Sequence, residues 1–326
     1  MLAAIDVGYS HTKGATDGRR EIFPSVLGEV QQAHLDLDLA ERNDYIQIET
    51  ERGTWLVGDA ALEQSGAKTR RQDRRWIETP EYEALLLAAI SQLTSATGVT
   101  IELVTGLPVS YFADRGKLTE ELKGTHMVKV AGRRRQRLDI AHVVILPQGL
   151  AAVLSEALDE RGKIRPGPVA EGAAGLIDVG GHTINVATFQ ELREIARQTT
   201  SIDAGAWGPL TEIGKRINAA FPGQELRGHE VAEAVRSGTI RHYGETRDVS
   251  GIAEDVLRPF ARQILAEATQ VWGSAARLDV LLVAGGGAGL VGPALAAEFP
   301  HVRVLDNPQW SNVEGYLRFG RRHFGG

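Results

Sequence analysis

Two short segments, each with an aspartate two residues before a glycine, carry the side chains best suited to chemistry. They are Asp6-Val7-Gly8-Tyr9-Ser10-His11-Thr12-Lys13-Gly14 and Asp178-Val179-Gly180-Gly181-His182-Thr183. Glycine permits a tight turn and a close approach to a ligand, so the backbone N–H groups that follow it can point at a phosphate. In the first segment Lys13 adds a positive charge, and the hydroxyls of Ser10 and Thr12 add donors.

Both aspartates suit a magnesium site. A carboxylate at the end of a strand is costly unless it is paired or linked to a metal. Because Mg²⁺ keeps most of its waters and takes only one or two carboxylates, Asp6 and Asp178 together indicate a metal more strongly than either alone. Plainer interpretations stay open: the first segment is a simple hairpin with an exposed lysine, His182 bonds within its own loop, and Asn185 is structural.

A third segment is rich in glycine without an aspartate: Val283-Ala284-Gly285-Gly286-Gly287-Ala288-Gly289-Leu290. Glycines after a buried strand let a flat ring lie against the backbone without a clash with Cβ atoms. The segment does not match the P-loop, because no Gly-Lys-Ser/Thr follows, and it does not match the dinucleotide fingerprint. The alternative is a helix that merely begins with glycines.

The two aspartate segments need strands to position them. Residues 2–8 (LAAIDVG) and 175–181 (GLIDVGG) both run from apolar residues into Asp-Val-Gly, and an apolar stretch follows each. This pattern predicts a buried strand that turns through a glycine-containing loop into a second strand, a β-hairpin. Two such hairpins in one chain predict two related halves.

Strands and helices alternate elsewhere in the chain. Thr79-Pro80-Glu81 predicts a capped helix start, and Ser250 and Ser311 are expected to cap two further helices. Alternating strands and helices predict an α/β architecture with largely parallel sheets. The expected strands are 100–105, 143–146 and 279–284. The expected helices are 80–93, 150–158, a long helix capped by Ser250, and a short C-terminal helix capped by Ser311 that ends at about 319.

Length and composition narrow the class of protein. A chain of 326 residues predicts two domains at about 150 residues each, and a seam rich in glycine, proline and charge lies at 159–175. The absence of cysteine excludes disulfides, thiolate metal sites and cysteine nucleophiles. A net charge of −6 argues against direct nucleic-acid binding through bulk charge. No apolar run is long enough to span a membrane, and the N-terminus lacks the pattern of a signal peptide, so we expect a cytoplasmic protein.

In their order and spacing, the three segments resemble the two phosphate motifs and the adenosine motif of the actin/Hsp70/sugar-kinase superfamily. Residues 146–152 (LPQGLAA) and 312–317 (NVEGYL) resemble its two connecting helices. Within the superfamily the sequence is most similar to the ParM-like plasmid-segregation actins and the small archaeal actin-like ATPase. The resemblance implies an α/β, actin-like (ribonuclease H-like) fold with two related domains around a nucleotide cleft. Domain I would cover 1–165, with the C-terminal helix 311–326 packing back on it, and domain II would cover 166–310.

The resemblance also assigns roles to residues. Asp6 and Asp178 would hold Mg²⁺ and act in catalysis, and Gln148 would orient the attacking water, with a structural hydrogen bond as the alternative for Gln148. Glu212 and Lys215 would contact the ribose, or lie on a solvated helix face. The nucleotide-binding residues implied are Gly8, Tyr9, Ser10, His11, Thr12, Lys13, Gly180, Gly181, His182, Thr183, Glu212, Lys215, Gly285, Gly286 and Gly287.

The implied function is a filament-forming ATPase of plasmid segregation or the cytoskeleton. ATP is the expected nucleotide, with GTP left open, and Mg²⁺ the expected metal. Hydrolysis would be slow, because glutamine aligns water but cannot take its proton. The expected partners are other copies of this chain and a DNA-bound adaptor protein, and two basic runs, 70–75 and 133–137, are either solvated faces or contacts for such partners. The rival reading is a small-molecule kinase of the same superfamily, which needs a carboxylate base at the acceptor hydroxyl.

Overall fold

In a computed structural model of the chain, the structure describes residues 1–30, 46–65, 68–69, 74–226 and 228–325. The chain forms two compact units. Unit 1 consists of Met1–Arg165 and Trp310–Gly326, and unit 2 of Pro166–Gln309. The chain therefore leaves unit 1 once, builds unit 2 and returns to unit 1 for its last helix.

Within the described residues, strands and α-helices alternate along much of the chain. The strands are β1 (Leu2–Val7), β2 (His11–Ala15), β3 (Arg20–Pro24), β4 (Leu27–Glu29), β5 (Ile46–Thr50), β6 (Gly53–Val57), β7 (Lys68–Thr69), β8 (Gly98–Leu107), β9 (Gly124–Val130), β10 (Gln136–Pro147), β11 (Ala173–Val179), β12 (Ile184–Gln190), β13 (Arg193–Glu194), β14 (Thr200–Ile202), β15 (Thr239–His242), β16 (Glu245–Asp248), β17 (Val280–Ala284) and β18 (Val302–Val304). The helices are α1 (Asp59–Gln64), α2 (Pro80–Leu93), α3 (Arg115–Leu122), α4 (Leu150–Ala157), α5 (Pro168–Glu171), α6 (Trp207–Ala220), α7 (Gly228–Ser237), α8 (Ser250–Trp272), α9 (Ala288–Glu298) and α10 (Ser311–Phe324).

Unit 1 is built on one mixed sheet with the order β3-β2-β1-β8-β10-β9-β5-β6-β4-β7. Among its described strands, β1–β8 and β8–β10 are the parallel pairs, and the other neighbours are antiparallel. The expectation of largely parallel sheets is therefore wrong for this unit. The physical reason is that hairpins supply most of the strands, and a short turn can join only antiparallel neighbours.

Helix α2 forms the core of unit 1 where it packs on β1 and β2. It begins as predicted: the Thr79 hydroxyl accepts the N–H of Tyr82 at 3.3 Å, and Pro80 is the first helical residue. At its other end Arg133 donates to the Ser91 carbonyl at 3.1 Å and to Gln92 Oε1 at 2.8 Å. An arginine of the second basic run thus donates hydrogen bonds to acceptors near the C-terminal end of a helix. Most of the first basic run lies outside the described residues.

The C-terminal helix α10 packs on α4 within unit 1. The two helices approach closely at Gly315, where a Cβ would lie 1.8 Å from the carbonyl oxygen of Ala151. Helix α10 extends beyond the predicted end, to Phe324, and Ser311 is its first helical residue. The prediction that Ser311 caps this helix is wrong, because Trp310 occupies the cap position and no side-chain cap bond forms there.

Unit 2 is a smaller mixed sheet with helices packed against it. The order is β13-β12-β11-β17-β18, with β14 paired to β12. β11–β17 and β17–β18 are parallel, whereas β12 is antiparallel to its described neighbours. Ser250 is the first residue of α8 and not its cap, and the Asp248 carboxylate accepts its N–H at 2.7 Å. In the part of the chain that the structure describes, no helix combines the length and apolar character required to cross a membrane.

Candidate functional site

The first hairpin, β1 and β2, carries the first aspartate segment within unit 1. Its register pairs Asp6 with Lys13 and Val7 with Thr12, so residues 8–11 form the turn. The N–H of Gly8 donates to the carbonyl oxygen of His11 at 3.2 Å, and a Cβ on Gly8 would lie 3.0 Å from that oxygen. Glycine therefore lets the turn close tightly.

Asp6 is the centre of a buried polar cluster at this turn. Its side chain is almost fully buried, Lys13 Nζ lies 3.1 Å from Oδ2, and Gln148 Nε2 lies 3.1 Å from Oδ1. An ionised carboxylate can only accept hydrogen bonds, so Gln148 must present its amide N–H to Asp6. The carbonyl oxygen of Gln148 is then the end of the side chain that can accept a hydrogen bond from a water molecule.

The rest of the first turn is held by Ser25. The N–H of Ser25 donates to the carbonyl oxygen of Ser10 at 3.0 Å, and its hydroxyl lies 2.9 Å from the Thr12 hydroxyl. Thr12 is fully buried, and Ser10 Oγ lies 3.0 Å from His11 Nδ1. Of the predicted hydroxyl donors, Thr12 thus supports the turn from inside the protein.

Tyr9, at the second position of the turn, is fixed by aromatic packing. Its ring stacks on Trp76, with centroids 5.3 Å apart and planes at 19°. Trp76 in turn meets Tyr82 of α2 edge to face at 5.4 Å. These geometries are the favoured arrangements of aromatic pairs. Sequence reasoning gave no role to Trp76, because nothing in the spacing of residues indicates which aromatic side chain a turn will contact.

The second hairpin, β11 and β12, repeats the geometry of the first within unit 2. Its register pairs Asp178 with Asn185, and residues 180–183 form the turn. The N–H of Gly180 donates to the carbonyl oxygen of Thr183 at 2.9 Å, and a Cβ on Gly180 would lie 2.8 Å from that oxygen. The two predicted hairpins are confirmed, and the two aspartates occupy the same register position.

The start of α6 supports the second turn. The backbone N–H groups of residues 205–207 donate to the carbonyl oxygens of residues 180–182 at 2.7–2.9 Å. A Cβ on Gly205 would lie only 2.3 Å from the carbonyl carbon of Gly181, so a side chain there would push the two segments apart. His182 also contacts Asp203, with Nε2 and Oδ1 at 3.2 Å. The sequence analysis did not identify the role of Gly205. The signal available for it was a glycine just before the start of a helix.

The third segment lies directly beside the second hairpin. The N–H of Gly287 donates to the carbonyl oxygen of Val179 at 2.9 Å. Gly285 has φ +87°, and a Cβ on it would lie 2.4 Å from the same oxygen and 2.5 Å from Asp178 Oδ1. Around Gly286, by contrast, the nearest described atom to a Cβ would be Cγ of Gln309, at 3.8 Å. Protein packing therefore requires two of the three glycines and leaves open space at the middle one.

Glu212 and Lys215 lie on α6, away from the buried side of that helix. Ile213 and Ile217 face the core, whereas Glu212 forms a half-exposed ion pair with Arg216 at 2.8 Å. Lys215 is exposed. Their local contacts are those of a solvated helix face, and the contact with ribose remains a prediction.

Around Asp6, the donor atoms would suit a hydrated Mg²⁺ more than a metal enclosed by protein. Among the described residues, no group of three or more His, Cys, Asp or Glu side chains could hold a metal ion. Each unit offers a carboxylate at the same strand position, Asp6 in one and Asp178 in the other. Both oxygens of Asp6 already accept a hydrogen bond, so further contacts from a metal's water ligands suit it more than direct coordination.

Comparison with protein families defines the class of protein. Residues 4–150 match the family "Actin like proteins N terminal domain", and residues 176–297 match "Archaeal actin homologue MreB-like, C-terminal". Between them the two matches cover most of the chain. The chain therefore belongs to the actin-like proteins, as the sequence motifs predicted. A search of curated proteins finds no match.

Solved structures with the same fold extend over almost the whole chain. Ta0583, an archaeal actin homologue, is 21% identical with a TM-score of 0.82, and 99% of each chain is covered. A ParM filament from Clostridium botulinum is 23% identical with a TM-score of 0.77, and the match covers 98% of this chain and 99% of that one. Bacillus thuringiensis ParM with ATP is 16% identical with a TM-score of 0.74, and the match covers 100% of this chain and 99% of that one. At these identities the similarity concerns the fold, and the predicted actin-like α/β fold is confirmed.

Proposed function

We propose that the chain binds and slowly hydrolyses ATP, with Mg²⁺, and that the nucleotide state controls assembly of copies of the chain into a filament. One observation carries the proposal: two hairpins from separate units present the same glycine turn and an aspartate at the same position. Similar folds have been solved with ADP, for Ta0583, and with ATP, for B. thuringiensis ParM. We expect the loops of both units to bind the phosphates of a single nucleotide.

In unit 1 the chain would supply charge and orientation. Lys13 is held in place by its ion pair with Asp6, so the backbone N–H groups of the turn and the lysine ammonium can both face a phosphate. The amide of Gln148 is fixed on Asp6, which leaves its carbonyl oxygen to accept a hydrogen bond from the attacking water. Glutamine cannot take the proton of that water, so the reaction relies on positioning and charge stabilisation and is slow.

In unit 2 the chain would supply the second phosphate loop and a surface for the base. Asp178 would contact the waters of Mg²⁺, and backbone bonds from residues 205–207 hold the turn 180–183. Mg²⁺, when bound, would neutralise charge that develops on the phosphates. The open space at Gly286 would accept a flat ring, because no Cβ covers the backbone there. We propose adenine for this position, and leave guanine as an outcome of the test.

The filament is proposed from the chemistry of assembly and from the ParM neighbours, one of which is a filament structure. Head-to-tail contacts between copies do not close into a ring when successive subunits are related by a screw operation, and they then yield a filament. Nucleotide can regulate such contacts only if the two nucleotide states differ in their interface free energy. We further propose the cytoplasm as the location, plasmid segregation or cytoskeletal work as the role, and a DNA-bound adaptor protein as a second partner.

A combined assay tests this function. Purified protein is mixed with Mg²⁺ and ATP, GTP or a non-hydrolysable analogue, and phosphate release is measured alongside right-angle light scattering and pelleting. We expect slow phosphate release and assembly with ATP, and little of either without Mg²⁺. ATP turnover without assembly, stimulated by a sugar or another small metabolite, would instead establish the kinase alternative. Absence of both phosphate release and assembly would refute the proposal.

A further inference from the structure

We propose that Asn312, on the C-terminal helix, is a positioning residue that fixes the orientation of Gln148. The inference rests on the proposed ATPase function and identifies a residue, remote in sequence, on which that activity depends. The proposal is based on a hydrogen bond within unit 1, in which the N–H of Gly149 donates to Asn312 Oδ1 at 3.3 Å. Gly149 directly follows the residue that would orient the attacking water.

The backbone around Gln148 is held from two sides. Strand β10 ends at Pro147, and the N–H of Gln148 donates to the carbonyl oxygen of Leu107 at 2.8 Å. Gly149 then adopts φ +87° and ψ −54°, and α4 begins at the next residue. A glycine at positive φ has wide conformational freedom, so the peptide between residues 148 and 149 requires a further contact to keep one orientation. Asn312 supplies that contact.

Asn312 is itself placed rigidly. It lies in the first turn of α10, where the N–H of Glu314 donates to the carbonyl oxygen of Trp310 at 2.9 Å. One turn further on, Gly315 packs so closely on Ala151 of α4 that any side chain at 315 would clash. The helix that carries Asn312 is thus docked on the helix that follows Gln148. This arrangement keeps the carboxamide oxygen of Asn312 in place, where it accepts the N–H of Gly149.

The consequence concerns the rate of reaction and not the binding of nucleotide. The Gln148 side chain is fixed at its amide end by Asp6, and the direction of its carbonyl oxygen depends on the backbone that carries it. Removal of the Asn312 oxygen would leave the N–H of Gly149 without this acceptor and let the 148–149 peptide rotate. Displacement of an orienting group by about 1 Å can cost about 100-fold in rate, whereas phosphate contacts elsewhere would be unchanged.

The test compares variants of the full chain in steady-state ATP turnover. We expect Asn312→Ala to lower kcat by about 10-fold, as for a misaligned orienting group, with KM and analogue affinity within about twofold of the parent. Asn312→Asp keeps an acceptor oxygen and should restore most of kcat. Glu314→Gln is the matched control, because it alters an ion pair with Arg20 in the same helical turn. Thermal unfolding of each variant identifies any loss of fold, and Asn312→Asp keeps the test decisive if Asn312→Ala does not fold.

A double-mutant cycle distinguishes positioning from a merely structural role. If Asn312 acts through Gln148, Asn312→Ala should reduce kcat little further in a Gln148→Ala background, whereas independent effects would multiply. Amide hydrogen exchange at Gly149 gives a readout that needs no activity, and it should accelerate in Asn312→Ala. Multiplicative losses, a change confined to KM, or unchanged exchange would overturn the inference. A parent protein without ATP turnover would overturn the proposed function itself, and the positioning role with it.

Discussion

The two hairpins have the same turn but are supported in different ways. In unit 1 side chains add to one backbone bond, from the N–H of Ser25 to the carbonyl oxygen of Ser10: Lys13 pairs with Asp6, and the hydroxyl of Ser25 pairs with that of Thr12. In unit 2 the backbone holds it, through three N–H groups at the start of α6 and the close approach of Gly205. At the register position of Lys13, unit 2 has Asn185.

Because of this difference, we expect the two hairpins to tolerate different kinds of substitution. A turn held by side chains responds to changes of charge and to single substitutions of polar residues, because removal of one partner leaves the other buried and unpaired. A turn held by its backbone responds to steric change, since a carbonyl–amide contact is present whatever the side chain. For stability, we therefore expect charge changes to act mainly through unit 1 and glycine substitutions mainly through unit 2.

The largest expected effect comes from the aspartate of the second hairpin. Asp178→Ala should retain the fold and reduce Mg²⁺-dependent ATP turnover by about 100-fold or more, because a group that acts on developing charge is lost. Phosphate release across a Mg²⁺ titration measures this. Asp203→Ala is the control, since it removes an exposed carboxylate close to the same turn. Unchanged turnover in Asp178→Ala would remove this aspartate from the site.

Gly205→Ala tests the backbone support directly. Its Cβ would lie 2.3–2.4 Å from backbone atoms of Gly181 and His182, so α6 and the turn must separate. We expect the free energy of unfolding to fall by about 2–3 kcal/mol and ATP affinity to fall with it, measured by urea denaturation and nucleotide titration. Gly208→Ala, in the first turn of α6 with no described atom within 4 Å of its Cβ, should be neutral or stabilising. Equal effects of the two substitutions would contradict the comparison.

Gly205 also shows which kind of contact could not be predicted from the sequence. The hairpins were predictable because an apolar run into Asp-Val-Gly is a local pattern, and local patterns fix local structure. The contacts of Gly205, Ser25 and Trp76 join segments distant in sequence, and no spacing rule indicates such partners. The parallel sheets were predicted wrongly for a related reason: strand direction depends on pairing between segments, which alternation of elements does not determine.

Lys13→Met tests the charge support of the first hairpin. It leaves the buried Asp6 carboxylate without its cation, and loss of a partly buried bond between charged groups costs about 1–3 kcal/mol of unfolding free energy. Chemical denaturation measures this, and because the pair is buried the difference from the parent should persist at high salt. Lys215→Met, which removes an exposed lysine of unit 2, should change stability by less than about 0.5 kcal/mol. A larger effect at Lys215 would refute the assignment of charge support to unit 1.

Gly286→Ala separates ligand binding from packing. Within unit 2 a Cβ at this position meets only open space and Gln309 at 3.8 Å, so the free energy of unfolding should stay close to that of the parent. If a flat base lies against this backbone, the added methyl group should weaken ATP binding by about 10-fold, the cost of a poor fit in a binding pocket. Titration of a fluorescent nucleotide measures this. Gly289→Ala, also in open space but in the following helix, is the control, and equal affinities in the two variants would place the base elsewhere.

The smallest expected effect is a pH dependence carried by another charged cluster of unit 1. A hydrogen bond that His126 Nδ1 donates to Glu83 Oε1, at 3.3 Å, raises the pKa of His126 above its ordinary value of 6.5, despite partial burial. Burial alone would raise the pKa of Glu83, but hydrogen bonds from His126 and Arg52 outweigh it and hold that pKa below 4.5. The Glu83 contribution is lost only as pH falls through its lowered pKa. The His126 contribution is complete below pH 6.5 and disappears as pH rises through its raised pKa.

Stability of the parent should therefore decline as pH rises from about 6 to 8, by about 0.5–1 kcal/mol for this partly buried pair. His126→Gln should remove the part of the slope that arises from the pair, because glutamine does not titrate. Urea denaturation across this pH range measures the slope, and His323→Gln, which changes an exposed histidine of α10, is the control. An unchanged slope in His126→Gln would show that the His126–Glu83 pair does not contribute to the pH dependence of stability, and the contrast between the units would then not extend to this pair.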